Sequence, residues 1–158
     1  MSILVSQYKG AKVLVTGHTG FKGTWLCLWL LQLGAKVSGI SKDVPSEPSH
    51  FVSANLCNKI QDYRLDVRDD EKLKKLIHKI QPDYVFHLAA QALVRSSYEA
   101  PIETFLVNAM GSANILDALR TLKKDVVAVM ITSDKAYDNV EWIWGYRETD
   151  RLGGKDPY

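Results

Sequence analysis

Short aliphatic runs alternate with longer amphipathic stretches along this 158-residue chain. The short runs lie between polar or glycine-containing segments, as strands do, and the longer stretches carry apolar residues at three- and four-residue spacing, as helices do. The predicted strands are Lys12–Thr16, Lys36–Ile40, Ile60–Leu65, Tyr84–His87 and Val126–Thr132. The predicted helices are Phe21–Leu33, Asp69–Ile80 and Pro101–Leu122.

This alternation of strand and helix predicts an α/β fold with a doubly wound parallel sheet of the Rossmann type. The first and last strands are aliphatic without polar alternation, so we expect both of their faces to be covered. The first helix is apolar nearly all round, which predicts that it is buried, and Gly34 is expected to end it in a left-handed cap. Asn108 lies beside the apolar stripe of the longest helix and is expected to anchor a neighbouring loop.

Two stretches show no regular pattern. Residues 41–50 contain two prolines and are predicted to form a loop after the second strand. Residues 136–158 contain Trp142, Trp144 and Tyr146, and a segment of this length without regular structure is usually functional in a compact domain. We interpret it as a wall or lid over a site.

The charge balance indicates no polyanionic partner, because 20 basic and 18 acidic residues leave a formal charge of +2. We therefore expect no nucleic acid partner. The longest apolar run is too short to cross a bilayer and no leader peptide is evident, which predicts no membrane partner and a cytoplasmic location. Cys27 and Cys57 lack the spacing of metal ligands, and so do the four histidines, so no metal site is expected.

A glycine motif follows the first strand directly and opens the first helix. Gly17, Gly20 and Gly23 are spaced G-x-x-G-x-x-G, with Phe21 and Lys22 between the last two. Glycine permits a tight turn, a close approach of backbone to a pyrophosphate and close packing of helix on sheet, while the helix N-terminus attracts the phosphates. The motif predicts a dinucleotide site, although a strand-to-helix turn without a ligand is the alternative.

Polar residues also follow the later strands, where a doubly wound sheet binds its ligands. Thr132, Ser133, Asp134 and Lys135 place hydroxyl, carboxylate and amine groups together at the end of the fifth predicted strand. By spacing alone, a catalytic group and a capped, solvated loop are equally good interpretations.

Several stretches together carry a resemblance to a known family. The chain resembles the N-terminal half of extended short-chain dehydrogenase/reductases that act on nucleotide sugars, in particular the CDP-glucose 4,6-dehydratases. The matching stretches are residues 15–23 (VTGHTGFKG), 87–91 (HLAAQ), 94–98 (VRSSY), 132–137 (TSDKAY), 144–148 (WGYRE) and 153–158 (GGKDPY).

The resemblance implies NAD as cofactor and assigns residues to it. Asp66 and Val67 match the pair at the adenine edge, and Leu88, Ala89 and Ala90 match the backbone beside a ribose. Ser41 and Lys42 stand where many relatives have an acid that binds the adenosine ribose, so NADP remains an alternative on the residues alone. Gln91 and Arg95 match a loop near the sugar.

The resemblance also implies catalytic roles. Tyr158 matches a tyrosine that takes a proton from a sugar hydroxyl, and Ser133 matches the hydroxyl that bridges sugar and tyrosine. Asp134 matches the acid that protonates the departing C6 hydroxyl in 4,6-dehydratases, a group that epimerases do not need. Lys135 stands where the dTDP-glucose enzymes have a glutamate base, so the base that takes the C5 proton is left open.

The substrate implied is CDP-glucose, converted to CDP-4-keto-6-deoxyglucose for deoxysugars of bacterial surface polysaccharide such as the O-antigen of lipopolysaccharide. The family's lysine partner of the tyrosine would fall at position 162. Residues 1–158 are therefore expected to be a partial cofactor domain, inactive alone, without the sixth strand and the substrate-binding region. The whole protein is expected to form a homo-oligomer. Alternatives are a dTDP-glucose or GDP-mannose dehydratase, an epimerase, or a dinucleotide-binding module without catalysis.

Overall fold

Five parallel strands form the centre of the structure, a computed structural model that describes residues 3–158. The strands are β1 (Lys12–Thr16), β2 (Lys36–Ser41), β3 (Gln61–Arg64), β4 (Tyr84–His87) and β5 (Val127–Met130). Their order in the sheet is β3-β2-β1-β4-β5, with every neighbouring pair parallel. This order reverses direction between β1 and β4, which confirms the predicted doubly wound sheet.

Helices connect the strands. They are α1 (Ile3–Tyr8), α2 (Phe21–Gln32), α3 (His50–Ser53), α4 (Asp70–Ile80), α5 (Val94–Glu99), α6 (Pro101–Phe105) and α7 (Gly111–Arg120). Single 3-10 turns lie at Leu56–Asn58 and Asp134–Ala136. The sequence pattern did not predict α1, α3 and α5, because helices of four to six residues are too short to show a helical period.

The ends of the first two predicted helices follow from local chemistry. Gly34, with φ +82°, takes the left-handed conformation after α2, as predicted. The Asp69 side chain accepts a hydrogen bond from the amide of Lys72 and so caps α4, whose first turn also carries acidic residues. Gln81, with φ 53°, ends that helix.

The predicted helix from Pro101 to Leu122 is interrupted by a π-helical turn. It runs as α6, the π turn Leu106–Met110 and then α7. Asn108 lies in the π turn and bonds the backbone of Gln91 in both directions, with N···O distances of 2.8 and 3.1 Å, which confirms the predicted anchor. Gly111 follows the turn and packs closely on Val67. A β-carbon at Gly111 would lie 2.7 Å from the Cγ2 atom of Val67.

The apolar core has one layer on each face of the sheet. On one face, α2 packs on β1 and β2 around Cys27 and Leu30. On the other face, α4 and α7 pack on the sheet around Ile77 and Ile115. Each face of the central strands is therefore covered by helix, as parallel sheets require.

Two burial predictions were wrong. The α2 helix is not buried all round, since Phe21, Trp25 and Trp29 are exposed to between 53 and 72%. Only the side of α2 with Gly23, Thr24, Cys27 and Leu30 contacts the sheet, so large apolar residues on the opposite side face outwards. Strand β5 is likewise exposed at Val127 and Val129, because it is an edge strand.

A chain of polar groups crosses the core between β1, β4 and α7. Ser112 Oγ donates to the carbonyl of Asn108, so it accepts the hydrogen bond from His87 Nε2 at 3.1 Å. The other ring nitrogen of His87 must then accept the Thr16 hydroxyl, whose oxygen lies 2.7 Å from Nδ1. Burial lowers the pKa of His87 to about 4, so the ring is neutral at pH 7.

None of the described helices is long and apolar enough to cross a lipid bilayer.

The contact between Gly111 and Val67 predicts a stability effect. Gly111→Ala should lower the free energy of unfolding by about 1–3 kcal/mol, because the new methyl group overpacks the contact. Val67→Ala in the same chain should recover part of that loss. Urea denaturation measures both, with Gly145→Ala as the control, since a β-carbon at Gly145 would meet no atom within 4 Å. Equal losses in Gly111→Ala and Gly145→Ala would contradict the packing argument.

The buried neutral His87 predicts acid sensitivity. Its folded pKa of about 4 lies below the ordinary 6.5, so the unfolded chain binds a proton there that the folded chain does not. The free energy of unfolding should therefore fall as the pH drops below 6.5, by about 2 kcal/mol at about pH 5 for this group. His87→Gln keeps a donor and an acceptor but cannot be protonated, so urea denaturation should show a smaller loss. An equal loss in both proteins would argue against this origin.

Candidate functional site

The loops after all five strands lie at one edge of the sheet, because the strands are parallel. This edge carries the predicted glycine turn after β1, residues 41–42 after β2, residues 66–67 after β3, residues 88–91 after β4 and residues 133–135 after β5. The strand order reverses between β1 and β4, and a crevice at such a point is the usual ligand site of this architecture. The structure therefore brings together the predicted cofactor and catalytic segments, apart from Arg95 and Tyr158.

The glycine turn is shaped by close contacts of backbone with backbone. Gly17 has φ +71°, and a β-carbon there would lie 2.8 Å from the carbonyl oxygen of Leu88. A β-carbon at Gly23 would lie 2.2 Å from the carbonyl oxygen of Gly17. These two glycines thus bring the turn close to the loop after β4 and to its own helix. Gly20 differs, because a β-carbon there would meet only the Gly17 oxygen, at 3.4 Å.

The N-terminus of α2 fits an anion. Gly20 precedes the helix with extended backbone and supplies no side chain to cap it. The first turn, Phe21, Lys22 and Gly23, contains no acidic residue. Uncapped amides and the positive end of the helix dipole attract phosphate groups, so this turn and the open side of Gly20 fit a pyrophosphate.

The segment after β4 is held in place by the polar chain through the core. The amides of Leu88 and Ala89 both donate to Thr16 Oγ1, each at 3.1 Å. Because the Thr16 hydroxyl donates its hydrogen bond to His87, its oxygen is free to accept the hydrogen bonds of both amides. Leu88 and Ala89 are thus fixed beside Gly17, and the small side chains of Ala89 and Ala90 leave room for a ligand.

After β3, the predicted adenine pair is organised by an arginine. Asp66 accepts hydrogen bonds from Arg68 Nε and Nη2 at 3.0 and 2.6 Å, and these bonds lower the pKa of the carboxyl group. Arg68 also bonds Glu103 on α6 at 2.6 Å. Val67 is buried against Gly111. The pair is therefore tied to α6 and α7, and the Asp66 carboxylate is already engaged by Arg68.

At the end of β2, Ser41 stands in place of an acid, and Lys42 next to it is exposed. The Ser41 hydroxyl lies 2.9 Å from Nδ1 of His18, a side chain with no exposed surface. The spacing of the histidines in the sequence bears only on metal binding and does not predict this contact. The signal was Gly39 in the adjacent strand, where a β-carbon would lie 2.4 Å from the His18 ring.

The catalytic candidates after β5 form a small turn. Ser133 is half-buried, and its hydroxyl donates to Asp134 Oδ1 at 3.2 Å while accepting the Lys135 amide at 3.1 Å. Asp134 and Lys135 are exposed in a 3-10 turn. A hydroxyl, a carboxyl group and an amine are thus presented together at the ligand-binding edge.

The terminal segment folds back beside this turn. Tyr137 pairs with Leu152 in an antiparallel bridge, and the Gly153 amide donates to the Ala136 carbonyl at 3.0 Å. Gly154 then passes so close that a β-carbon there would lie 3.3 Å from the Lys135 carbonyl oxygen. The segment predicted as a wall or lid therefore lies beside residues 133–135.

Tyr158 is half-buried, four residues beyond Gly154, and its amide bonds Asp156 Oδ1 at 3.0 Å. Within residues 3–158, no hydrogen bond joins its phenol to Ser133 or Asp134. An approach of the phenol to Ser133 stays a prediction.

The two residues predicted to contact the sugar differ in their surroundings. The side chain of Gln91 bonds the backbone of Leu93 in both directions, at 3.0 and 2.6 Å, and donates to Thr104 Oγ1 at 3.1 Å. It therefore shapes its own loop. Arg95 on α5 is 94% exposed and lies 3.6 Å from Glu99.

Across the described part of the chain, no group of three or more His, Cys, Asp or Glu side chains is arranged to hold a metal ion. The two cysteines are both free thiols, Cys27 buried and Cys57 exposed.

Comparison with known proteins identifies relatives of this chain. The CDP-glucose 4,6-dehydratase of Salmonella typhimurium is 50% identical over 151 residues, which cover 96% of this chain and 42% of that protein. The GDP-mannose 4,6-dehydratase of Yersinia enterocolitica is 31% identical over 93% of this chain and 41% of that protein. The chain thus spans less than half the length of these relatives.

Solved structures share the fold. The UDP-glucose 4-epimerase of Thermus thermophilus, in complex with NAD, matches with a TM-score of 0.80 and 31% identity over 92% of this chain and 45% of that one. The UDP-glucose-4-epimerase of Stenotrophomonas maltophila, with bound NAD, matches with a TM-score of 0.80 and 27% identity over 94% of this chain and 44% of that one. The family model described as GDP-mannose 4,6 dehydratase matches residues 14–158. Because that match extends over nearly the whole sequence, this chain belongs to the GDP-mannose 4,6 dehydratase family.

Proposed function

We propose that this chain is the cofactor-binding part of a nucleotide-sugar 4,6-dehydratase that uses NAD and acts on CDP-glucose. The observation that carries the proposal is the placement of Ser133, Asp134 and Lys135 at the same sheet edge as the glycine turn. A hydroxyl, an acid and a cofactor cradle at one edge are the groups that oxidation followed by loss of water requires.

The choice of CDP-glucose rests on sequence similarity. Identity to the Salmonella CDP-glucose enzyme is 50%, against 31% for the Yersinia GDP-mannose enzyme over a similar part of the chain. The family model is described by its GDP-mannose members, so this difference in identity carries the choice of nucleotide.

The residues of the crevice fit NAD. The uncapped turn at Phe21 and Lys22 would hold the pyrophosphate, Asp66 and Val67 would lie at the adenine, and Leu88 would lie at a ribose. Bound NAD would supply the acceptor for the hydride from sugar C4 and the source of the hydride for C6.

Ser133 and Tyr158 are proposed to act in the first proton transfer, which removes the proton of the sugar C4 hydroxyl. A phenol with an ordinary pKa near ~10 takes a proton poorly at neutral pH, so Tyr158 requires a cationic neighbour that stabilises the phenolate. Ser133, whose hydroxyl is held by the Asp134 carboxylate and the Lys135 amide, would position the C4 hydroxyl for this transfer.

Asp134 and Lys135 are proposed to act in the loss of water. Once C4 is a ketone, the proton on C5 is acidic, and Asp134 would give a proton to the departing C6 hydroxyl. Lys135 would either take the C5 proton or polarise the ketone, and both roles suit an amine next to Asp134. The product, CDP-4-keto-6-deoxyglucose, would be a precursor of deoxysugars of bacterial surface polysaccharide.

Location and assembly belong to the proposal as well. Free thiols at Cys27 and Cys57 agree with a reducing compartment such as the cytoplasm. Exposed apolar side chains on α6 and the π turn, including Ile102, Phe105 and Met110, would suit a homo-oligomer of the whole protein.

An epimerase is the second candidate, because UDP-glucose 4-epimerases are among the structures that share this fold. Epimerisation needs no acid at C6, whereas Asp134 supplies one beside Ser133. The two activities also move hydrogen differently, which allows a direct test.

The cradle predicts NAD binding by this chain. Gly20→Ala should weaken NAD binding by about tenfold, because the methyl group would stand where backbone approaches the pyrophosphate. The free energy of unfolding should change by less than about 1 kcal/mol, since that methyl group has room in the fold. Calorimetric titration with NAD and urea denaturation test the two parts. Unchanged NAD affinity in a folded Gly20→Ala chain would rule out this cradle.

An isotope experiment separates the two enzyme classes. CDP-glucose carrying deuterium at C4 is incubated with NAD and the whole protein that contains this chain, and the product is examined by mass spectrometry and NMR. A dehydratase should yield a product that has lost one water and carries the deuterium at C6. Deuterium retained at C4, with no loss of water, would establish epimerisation.

Asp134→Asn in the same whole protein should slow the loss of water by about 10²–10⁴-fold, since the amide cannot protonate the departing hydroxyl. Asp125→Asn, the same change at an exposed position before β5 and away from the site, is the matched control. Equal rates in the two variants would remove Asp134 from the mechanism.

A further inference from the structure

The end of β2, where many dinucleotide folds select between NAD and NADP, has no acidic residue in this chain. An acidic residue at this point of a dinucleotide fold accepts hydrogen bonds from the adenosine ribose and repels a 2′-phosphate. Here the last strand residue is Ser41, followed by the exposed cation Lys42. By charge alone, this pair would favour a 2′-phosphate.

A buried histidine determines what the Ser41 hydroxyl can do. His18 Nε2 lies 2.9 Å from Asp62 Oδ1, and a carboxylate can only accept, so Nε2 carries the proton. Burial lowers the pKa of His18, so the ring is neutral and Nδ1 has no proton. Ser41 Oγ lies 2.9 Å from Nδ1 and must therefore donate its proton to the ring.

The Ser41 oxygen is left as an acceptor. A hydroxyl has one proton and two lone pairs, and the proton is committed to His18. One lone pair faces the Thr19 amide at the long distance of 3.4 Å, and within residues 3–158 no other donor bonds this oxygen. Ser41 is only 6% exposed, so a ligand would meet the oxygen at the floor of the crevice. Ser41 therefore presents the same polarity as a carboxylate, without its charge.

The surroundings keep this arrangement in place. A β-carbon at Gly39 would lie 2.4 Å from the His18 ring, so the strand itself leaves the space for the imidazole. Thr19 Oγ1 and Arg64 Nη1 both donate to the carbonyl of Asp43, at 2.7 and 3.3 Å, which ties the loop after β2 to the glycine turn and to β3. Arg64 also bonds the second carboxylate oxygen of Asp62, at 2.8 Å.

We propose that Asp62 and His18 are positioning residues that make Ser41 an obligate hydrogen-bond acceptor, and that this acceptor selects a ribose 2′-hydroxyl over a 2′-phosphate. A 2′-hydroxyl can donate to Ser41, whereas a phosphate has only acceptor oxygens to offer it at neutral pH. The inference rests on the proposed binding of NAD and explains how the chain prefers NAD over NADP without the acid.

The test is calorimetric titration of this chain with NAD and with NADP. The wild-type chain should bind NAD at least about tenfold more tightly than NADP. Ser41→Ala should weaken NAD binding by about five- to tenfold and leave NADP binding nearly unchanged, since only NAD uses the acceptor. Ser41→Thr, which keeps the hydroxyl, should retain the preference for NAD.

Asp62→Asn tests the relay through His18. The amide of asparagine can donate to Nε2, which moves the ring proton to Nδ1 and turns Ser41 from acceptor to donor. NAD affinity should fall by about five- to tenfold while NADP affinity rises. Asp117→Asn on α7 removes the same charge away from β2 and should leave the ratio of the two affinities unchanged.

A double variant separates the relay from simple loss of charge. In the Ser41→Ala chain, Asp62→Asn should no longer weaken NAD binding, because the hydroxyl through which it acts is gone. Additive losses, or a rise in NADP affinity with unchanged NAD affinity, would overturn the inference. Equal affinity of the wild-type chain for NAD and NADP would overturn only the inference about Ser41. Failure of the chain to bind either dinucleotide would overturn the proposed function as well.

Discussion

The close approach of the first loop to the fourth is the constraint on which the rest of the site depends. Gly17 lies against Leu88 with no room for a β-carbon, and Thr16 bonds the two amides that follow β4. These contacts lie where the strand order reverses, so they set the width of the crevice in which a ligand can bind. A side chain at Gly17 would separate β1 from β4 at the site.

Two buried histidines perform related tasks on either side of this crevice. Each is neutral because burial lowers its pKa, and each has one ring nitrogen whose role is fixed by a neighbour, Asp62 for His18 and Ser112 for His87. The other ring nitrogen then accepts a hydrogen bond from a hydroxyl at the end of a strand. Polar chains of this kind satisfy the buried groups that belong to them and also define the direction of each hydrogen bond.

The division of labour along the sheet edge follows from these constraints. The glycine turn and α2 offer backbone amides and no competing acid, which suits a diphosphate. The turn after β5 offers side chains that can move protons, and the terminal segment folds back next to it. Binding and proton transfer are thus assigned to different loops, which the parallel strands hold at one edge.

The sequence alone determined the strands, the helices α2 and α4, the glycine turn and the set of loops at the site, but not the π turn that interrupts the helical segment from Pro101. It could do so because periodicity, glycine spacing and the alternation of strand and helix along the chain are local signals, and β1 and β4 have the predicted ends. The short helices were not predicted because they are too short to show a helical period. The exposed face of α2 was not predicted because hydrophobicity does not say which side of a helix contacts the sheet. Only the tertiary structure joined His18 to Ser41 and Asp62, since those residues are 23 and 44 positions apart in the chain. The direction of a hydrogen bond depends on which groups folding brings within reach, and no local pattern records that.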